Sequence, residues 1–146
     1  MKAFLAVAKG HVADIHKQRG DLGEALRICK DEQLPLLEEV GDPLEIAQAK
    51  GQLALILGAQ GHIEDAIELF RHECLPILEH RDDRLSLVFA RANLAGLLKR
   101  RDSPDQDEPE IVRLYSTALR DARTLGIPEA EMLADALRRL GHDPDA

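Results

Sequence analysis

The residue types that most often carry chemistry are present in this chain, but their spacings do not converge. His72, Cys74 and His80 lie on one predicted helix. A separation of two residues turns a helix through about 200°, and one of eight residues leaves about 80° between side chains, so the three do not face one ion. His11 and His16, five residues apart, are also poorly spaced for shared ligation. The sequence therefore predicts no metal site.

Catalytic groupings are missing as well. We find no nucleophile placed with a base and an orienting group, and no glycine-rich phosphate loop. The many carboxylates are explained by the solvated faces of helices. The sequence predicts that the protein is not an enzyme and needs no cofactor.

The elements that must position any functional side chain are copies of one pattern. The stretch 61–70, Gly-His-Ile-Glu-Asp-Ala-Ile-Glu-Leu-Phe, echoes the stretch 20–29, Gly-Asp-Leu-Gly-Glu-Ala-Leu-Arg-Ile-Cys, 41 residues earlier. The same offset joins Gly10 to Gly51 and Pro35 to Pro76. A fixed period of this length is typical of a solenoid, in which each repeat packs on its neighbours. We expect repeats at about 1–41, 42–82 and 83–126, followed by a capping helix at about 128–140.

Composition favours helices and narrows the range of partners. The 146 residues are 45% apolar, 32% charged and only 3% aromatic, a mixture that suits aliphatic helix packing in a single all-α domain. The net charge of −8 opposes binding to nucleic acid or to an anionic membrane. No apolar run approaches membrane-spanning length. Two cysteines without Cys-x-x-Cys spacing are typical of a reducing compartment, so we expect a cytoplasmic protein.

The first repeat should contain two helices. The spacing predicts the first over about 2–18, with apolar residues on or near one face: Leu5, Ala8, Val12, Ile15, and His16 beside them. Gly20 ends it, and Asp21 with Glu24 resembles a capping box for a second helix that starts near Leu22. Pro35 lies inside that second helix, as Pro76 does one period later, and each proline either bends or breaks its helix.

The later helices follow from the same punctuation. Asp42 followed by Pro43 predicts an N-cap and a first helical residue, and Asp82-Asp83 starts the third repeat. The stretch 102–109 is predicted to be a solvated acidic loop that lengthens its turn by about three residues. Helices are expected at about 43–59, 63–80, 83–101, 108–124 and 128–140.

One stretch resembles a known family. The residues Leu53, Ala54, Leu57, Gly61, Ala66 and Phe70 are similar in type and spacing to the tetratricopeptide repeat (TPR), in the long-period variety found in kinesin light chains and bacterial scaffold proteins. The resemblance implies a right-handed superhelical α-solenoid of three antiparallel helix pairs plus a capping helix. Two departures stand out: no aromatic residue precedes Leu53, and Glu110 occupies the place of Ala66 in the third repeat.

The resemblance also implies a function and a binding surface. In this family the first helix of each pair lines a concave groove that receives peptides, which implies a non-catalytic protein-interaction scaffold with a protein or peptide ligand. His11, Gln52 and Asn93 are equivalent by the 41-residue offset, and an amide side chain both donates and accepts hydrogen bonds. Lys99 and Arg100 favour a partner with local negative charge. The implied groove residues are His11, Asp14, Gln48, Gln52, Leu55, Phe89, Asn93, Lys99 and Arg100; the alternative is that they are ordinary exposed side chains.

A second function from a different class stays open. Phe4, Leu5 and Val7 would form an uncapped apolar end of the solenoid. Such an end is expected to stack on another copy, giving a homo-oligomeric assembly element, or to continue in a larger TPR signalling protein of which this chain is a fragment. Groove binding should depend on Asn93 and Lys99, whereas self-assembly should depend on Phe4.

Overall fold

The computed structural model describes all residues from Met1 to Ala146, and every regular element in it is helical, with no strand. The all-α fold class predicted from composition is thereby confirmed. The chain forms two compact units, Met1–Ile77 and Leu78–Ala146. None of the helices combines the length and the apolar character that crossing a bilayer requires.

The first unit is built from paired helices. It contains α1 (Lys2–Gln18), α2 (Leu22–Arg27), α3 (Leu34–Val40), α4 (Pro43–Ala59) and α5 (Ile63–Glu68), and α6 (Leu75–His80) begins at its end. Two π-helical segments, Ile28–Gln33 and Leu69–Cys74, join α2 to α3 and α5 to α6. The second unit contains α7 (Arg84–Arg101), α8 (Pro104–Leu125) and α9 (Glu129–Arg139), with α7 packed on α8 and α8 on α9.

The π-helical segments show how the two helices that contain Pro35 and Pro76 accommodate these prolines. Each precedes its proline, Pro35 or Pro76, by two residues, and the two segments are 41 residues apart. A proline inside an α-helix lacks an N–H and clashes with the carbonyl four residues earlier. A π turn bonds five residues back, so the backbone widens locally and the helix continues. The prolines therefore neither break their helices nor leave them regular, and seven continuous helices result.

Most helices start and end at the capping and turn residues that the sequence indicated. Asp42 caps α4 by accepting a hydrogen bond from the backbone N–H of Leu44 at 3.0 Å, and Asp83 caps α7 through the N–H of Ser86 at 3.2 Å. The expected capping box at Asp21 is wrong: that carboxylate makes no cap and lies 3.4 Å from Nδ1 of His16. Its partner in the motif, Glu24, binds Arg27 instead.

The acidic stretch 102–109 is helical from Pro104 onward and is not the solvated loop that its composition suggested. Only Asp102 and Ser103 separate α7 from α8, which begins at Pro104. Asp107 is 2% exposed, and its two carboxylate oxygens accept bonds from Arg101 at 2.9 and 2.7 Å. This bidentate pair fixes the start of α8 against the end of α7 and supplies the stability that the local sequence lacks.

Helix α1 has apolar residues on two opposite faces. Its buried face is made of small side chains, Ala6, Gly10 and Ala13. The stripe at helical spacing that the sequence showed points away from the core, with Leu5, Val12 and Ile15 exposed. The small residues lie on the inner face because they allow the second helix of the repeat to pack closely against α1. The core of the first unit joins them to Ala25, Ile28, Cys29, Leu34, Leu37, Ala49, Leu53 and Ile56.

Candidate functional site

An open cavity of about 320 Å³ lies in the first unit, between α1, α3 and α4. We call it the first-unit cavity. Its floor is apolar, from Ala6, Val7, Leu37 and Ala49 together with the backbone of Gly10. Its polar lining consists of His11, Asp14, Gln33, Glu45, Gln48 and Gln52. An apolar floor with a few polar groups is typical of a ligand site.

Four of the groove residues expected from the sequence line this cavity: His11, Asp14, Gln48 and Gln52. They come from α1 and α4, the first helices of the first two repeats. Leu55, also expected in the groove, is partly buried on α4 and does not line the cavity. The structure thus brings together the expected polar residues of the first two repeats.

Some of these side chains already form hydrogen bonds within the chain. Gln52 donates through Nε2 to the carbonyl oxygen of Gly10 at 3.3 Å, which ties α4 to α1. Asp14 accepts a bond from Nε2 of Gln18, one turn later, at 2.8 Å. A carboxylate has about four acceptor positions, so Asp14 keeps capacity for a further donor.

Gln33 is a lining residue that the sequence reasoning missed. It ends the first π-helical segment, is 8% exposed, and its Oε1 is buried without any hydrogen-bond donor. Its amide lies against Gly10, since a Cβ placed on that glycine would come within 2.5 Å of Nε2. A signal was present in the sequence: Gln33 stands 41 residues before Cys74, a buried position in the next repeat.

The expected residues of the third repeat lie on α7 in the second unit. Phe89 and Arg100 are exposed and Asn93 is half-buried, and their spacing places all three on one face of the helix. Lys99 is turned about 80° from Phe89 around the helix. Its side chain lines a separate cavity at the start of α8, together with Ser103 and Arg139 among others.

A buried carboxylate in the second unit was also not foreseen. Asp121 of α8 lies 3.1 Å from the guanidinium of Arg91, and Arg84 and Arg120 approach it to 3.9 and 4.0 Å. The open space beside this cluster is also lined by two more acids, Glu79 and Asp82. Asp121 thus joins α8 to α7 through Arg91, and Arg84 also lies 3.4 Å from Asp82.

Neither thiol is placed for chemistry. Cys29 and Cys74 are both free and buried. Burial raises the pKa of Cys29 to about 11 and that of Cys74 to about 11, so both remain protonated at neutral pH. Burial also raises the pKa of Tyr115. No group of three or more His, Cys, Asp or Glu side chains is arranged to hold a metal ion.

The residues expected to self-associate are exposed. Phe4 is 78% exposed, and Leu5 and Val7 are each nearly half exposed. Phe4 and Leu5 belong to the outer stripe of α1, which we define as Met1, Phe4, Leu5, Ala8, Val12 and Ile15. Val7 lies to one side of the stripe and lines the first-unit cavity.

Compared with models of known protein families and with curated proteins, the sequence matches none of either.

Proposed function

We propose that the protein is a non-catalytic interaction scaffold that binds a peptide or protein segment in the first-unit cavity. The observation that carries this proposal is the meeting of His11, Asp14, Gln48 and Gln52 around one open cavity. Residues from two consecutive repeats surround a space wide enough for side chains of a ligand. No separate catalytic grouping competes for the same residues.

The chemistry of the lining suits an extended peptide. Amide side chains such as Gln48 and Gln52 offer both donors and acceptors, which match the N–H and C=O groups of a peptide backbone. The apolar floor formed by Ala6, Leu37 and Ala49 accepts aliphatic parts of ligand side chains. Backbone contacts supply affinity and the floor supplies selectivity.

We assign the architecture to a TPR-type solenoid with a right-handed superhelix. Support comes from the 41-residue repetition of glycine turns, π-helical segments and prolines. The proposal includes a cytoplasmic location, because the two buried thiols are unpaired. Phe89, Asn93, Lys99 and Arg100 remain predicted ligand contacts of the second unit, with Lys99 and Arg100 facing negative charge on the ligand.

The test is a selection of peptides from a random displayed library on the wild-type chain, followed by affinity measurement on variants. His11→Ala with Gln48→Ala should weaken selected peptides at least tenfold, because both side chains line the cavity. The matched control makes the same two changes at exposed positions elsewhere, His72→Ala with Gln106→Ala, and should retain affinity. Equal affinity for both variants would contradict the proposal.

A specific observation favours a second candidate, self-association through the outer stripe of α1. Its six residues include five large side chains and are spaced at helical intervals on the face opposite the buried one. Met1 is fully exposed, Phe4 is 78% exposed, and the other three large side chains are each nearly half exposed. A stripe of this size is expected to be covered.

The occupant we propose for the stripe is a second copy of the same helix. Met1 and Ile15 are each seven residues from Ala8, so the smallest side chain stands at the centre of the stripe. If the two helices pair antiparallel about a two-fold axis, Ala8 packs against Ala8 of the other copy, and Met1 of each copy lies near Ile15 of the other. The centre allows close approach of the two helices.

Sedimentation velocity tests this pairing. We expect the wild-type chain to dimerise with concentration, and Phe4→Glu with Ile15→Glu to be monomeric. The control changes two exposed apolar residues of the second unit, Leu85→Glu with Met132→Glu, and should dimerise as the wild type does. A wild-type chain that stays monomeric at high concentration would rule out the stripe as a self-association surface.

A further inference from the structure

Gln33 occupies a position that the other copy of the repeat fills with an apolar group. Forty-one residues on, Cys74 lies against Gly51 with its Sγ 3.3 Å from the position of an added Cβ, as the Gln33 amide lies against Gly10. One helical turn earlier the size difference is reversed: the first repeat has the smaller residue, Cys29, and the second repeat has the larger one, Phe70. The second repeat therefore packs the same space with an aromatic ring and a thiol.

In the first repeat this apolar packing is replaced by the Gln33 amide, whose oxygen has no hydrogen-bond donor within the chain. Gln33 is more than nine-tenths buried, and its Oε1 accepts no hydrogen bond. Buried polar atoms in proteins are nearly always paired, because an unpaired one carries a desolvation cost. Gln33 lines the first-unit cavity, although its Oε1 has no accessible surface in the free chain. A rotation of the amide toward the cavity on binding would give this oxygen a donor from the ligand.

The surroundings of Gln33 favour a donor that is also positively charged. Two carboxylates, Asp14 and Glu45, line the same cavity, and no lysine or arginine lines it. The nearest basic residue along α1, Lys9, is held in a salt bridge with Glu32. Residues 1–77 carry thirteen acidic against eight basic side chains, so the field of the unit also attracts cations.

We propose, resting on the proposed function, that the first-unit cavity binds a basic side chain of the peptide ligand. Gln33 Oε1 is the acceptor for it, and Asp14 and Glu45 supply negative charge to the lining. A lysine ammonium has three donors and an arginine guanidinium has five, and neither has an acceptor. Either group supplies the donor that Gln33 lacks and the charge that the two carboxylates favour. The apolar floor at Val7 and Leu37 contacts the aliphatic stem of such a side chain.

The proposal distinguishes this cavity from the exposed basic residues on α7. Lys99 and Arg100 are predicted to meet negative charge, whereas the first-unit cavity selects positive charge. Charge reversal at the basic position of the ligand should therefore abolish binding, because it would place like charges together.

The experiment uses the full chain and the peptides obtained from the displayed random library. We expect one position of the selected peptides to be enriched in Lys or Arg. Replacing that residue by Gln should weaken binding at least tenfold, as expected for a hydrogen bond to a charged group, and replacing it by Glu should weaken it further. Peptides carrying Lys and Arg at that position are compared to establish which cation is preferred.

Variants of Gln33 test whether the preference for a basic peptide residue depends on this side chain. Gln33→Met keeps the volume but removes the acceptor, so the selected peptides should lose at least tenfold in affinity and bind with less discrimination between Lys and Gln. Gln33→Glu keeps an acceptor oxygen and adds charge, so it should retain or increase the preference. The double change Cys29→Phe with Gln33→Cys recreates the second repeat's own packing and provides a second loss-of-acceptor variant if Gln33→Met folds poorly.

Each outcome decides one of the two proposals. Enrichment of basic residues that disappears on Gln33→Met supports the inference. Peptides that lose affinity on His11→Ala with Gln48→Ala, but show no basic preference or no response to Gln33→Met, overturn the inference and leave the proposed function standing. Selected peptides insensitive to every cavity variant overturn both.

Discussion

Replacing Gln33 by methionine should stabilise the free protein while weakening its binding. The amide oxygen of Gln33 is buried and unpaired, and such a group costs about 1–3 kcal/mol of folding free energy. Methionine has nearly the same length and volume, so it leaves no cavity behind. It also adapts well to an irregular site such as the contact with Gly10. We expect the free energy of unfolding to rise by about 1–2 kcal/mol.

The assay is urea unfolding followed by circular dichroism at 222 nm, with wild type and Gln33→Met compared at equal m-values. The matched control is Gln106→Met, an exposed glutamine on α8, which should change stability by less than about 0.5 kcal/mol. A loss of stability of 1 kcal/mol or more on Gln33→Met would refute the reasoning. It would mean that the amide makes a hydrogen bond inside the folded chain.

Three further predictions concern the packing. Gly10→Ala places a Cβ 2.5 Å from Nε2 of Gln33, so it should displace that amide and reduce affinity for selected peptides at little change in helix content; unchanged affinity would contradict the contact. Asp107→Ala leaves Arg101 without its bidentate partner and should cost about 3–5 kcal/mol in urea unfolding, whereas a change below about 1 kcal/mol would show that the pair is not what orders the start of α8. Burial raises the pKa of Cys29 to about 11 from 9.0, and that of Cys74 likewise, so between about pH 9 and 11 the unfolded chain releases protons that the folded chain keeps. Stability should therefore fall as pH rises through this window, and a serine double variant should lose that part of the slope.

The sequence predicted the helices because local signals set their ends. Glycines in the left-handed conformation end α1 at Gly20 and close the turn at Gly61, and Asp42 with Pro43 starts α4. These signals act within a few residues, so they can be recognised without knowing the tertiary structure. The two π-helical segments were only partly foreseen, as a bend, since a proline restricts the backbone without dictating how the helix adapts.

The sequence was less informative where contacts between distant residues determine the structure. It placed apolar residues on one face of α1 without showing which face is inner; the small residues Ala6, Gly10 and Ala13 pack inward, and only the partner helix determines this. The stretch 102–109 has a loop-like composition, but it is helical from Pro104 onward, and Asp107 near the start of that helix pairs with Arg101 of α7. A pairing between side chains on two helices leaves no trace in local propensity.

Part of the candidate site could be predicted from the sequence and part of it could not. Four of its lining residues were implied by the resemblance to the tetratricopeptide repeat, and of these only His11 and Gln52 are equivalent by the 41-residue offset. Gln33 could not be predicted, because its significance depends on burial and on the missing hydrogen-bond donor. Comparison of the two repeats at this position was the available signal, and it becomes informative only once Cys74 is known to be buried.

A nitrogen-15 NMR titration of the full chain with a selected peptide would show directly whether the ligand occupies the first-unit cavity. The account predicts that shift changes concentrate on the backbone amide of Gly10 and on the side-chain amides of Gln33, Gln48 and Gln52, which all line the first-unit cavity. Shift changes confined to other surfaces, with these four residues unaffected at saturation, would contradict the account.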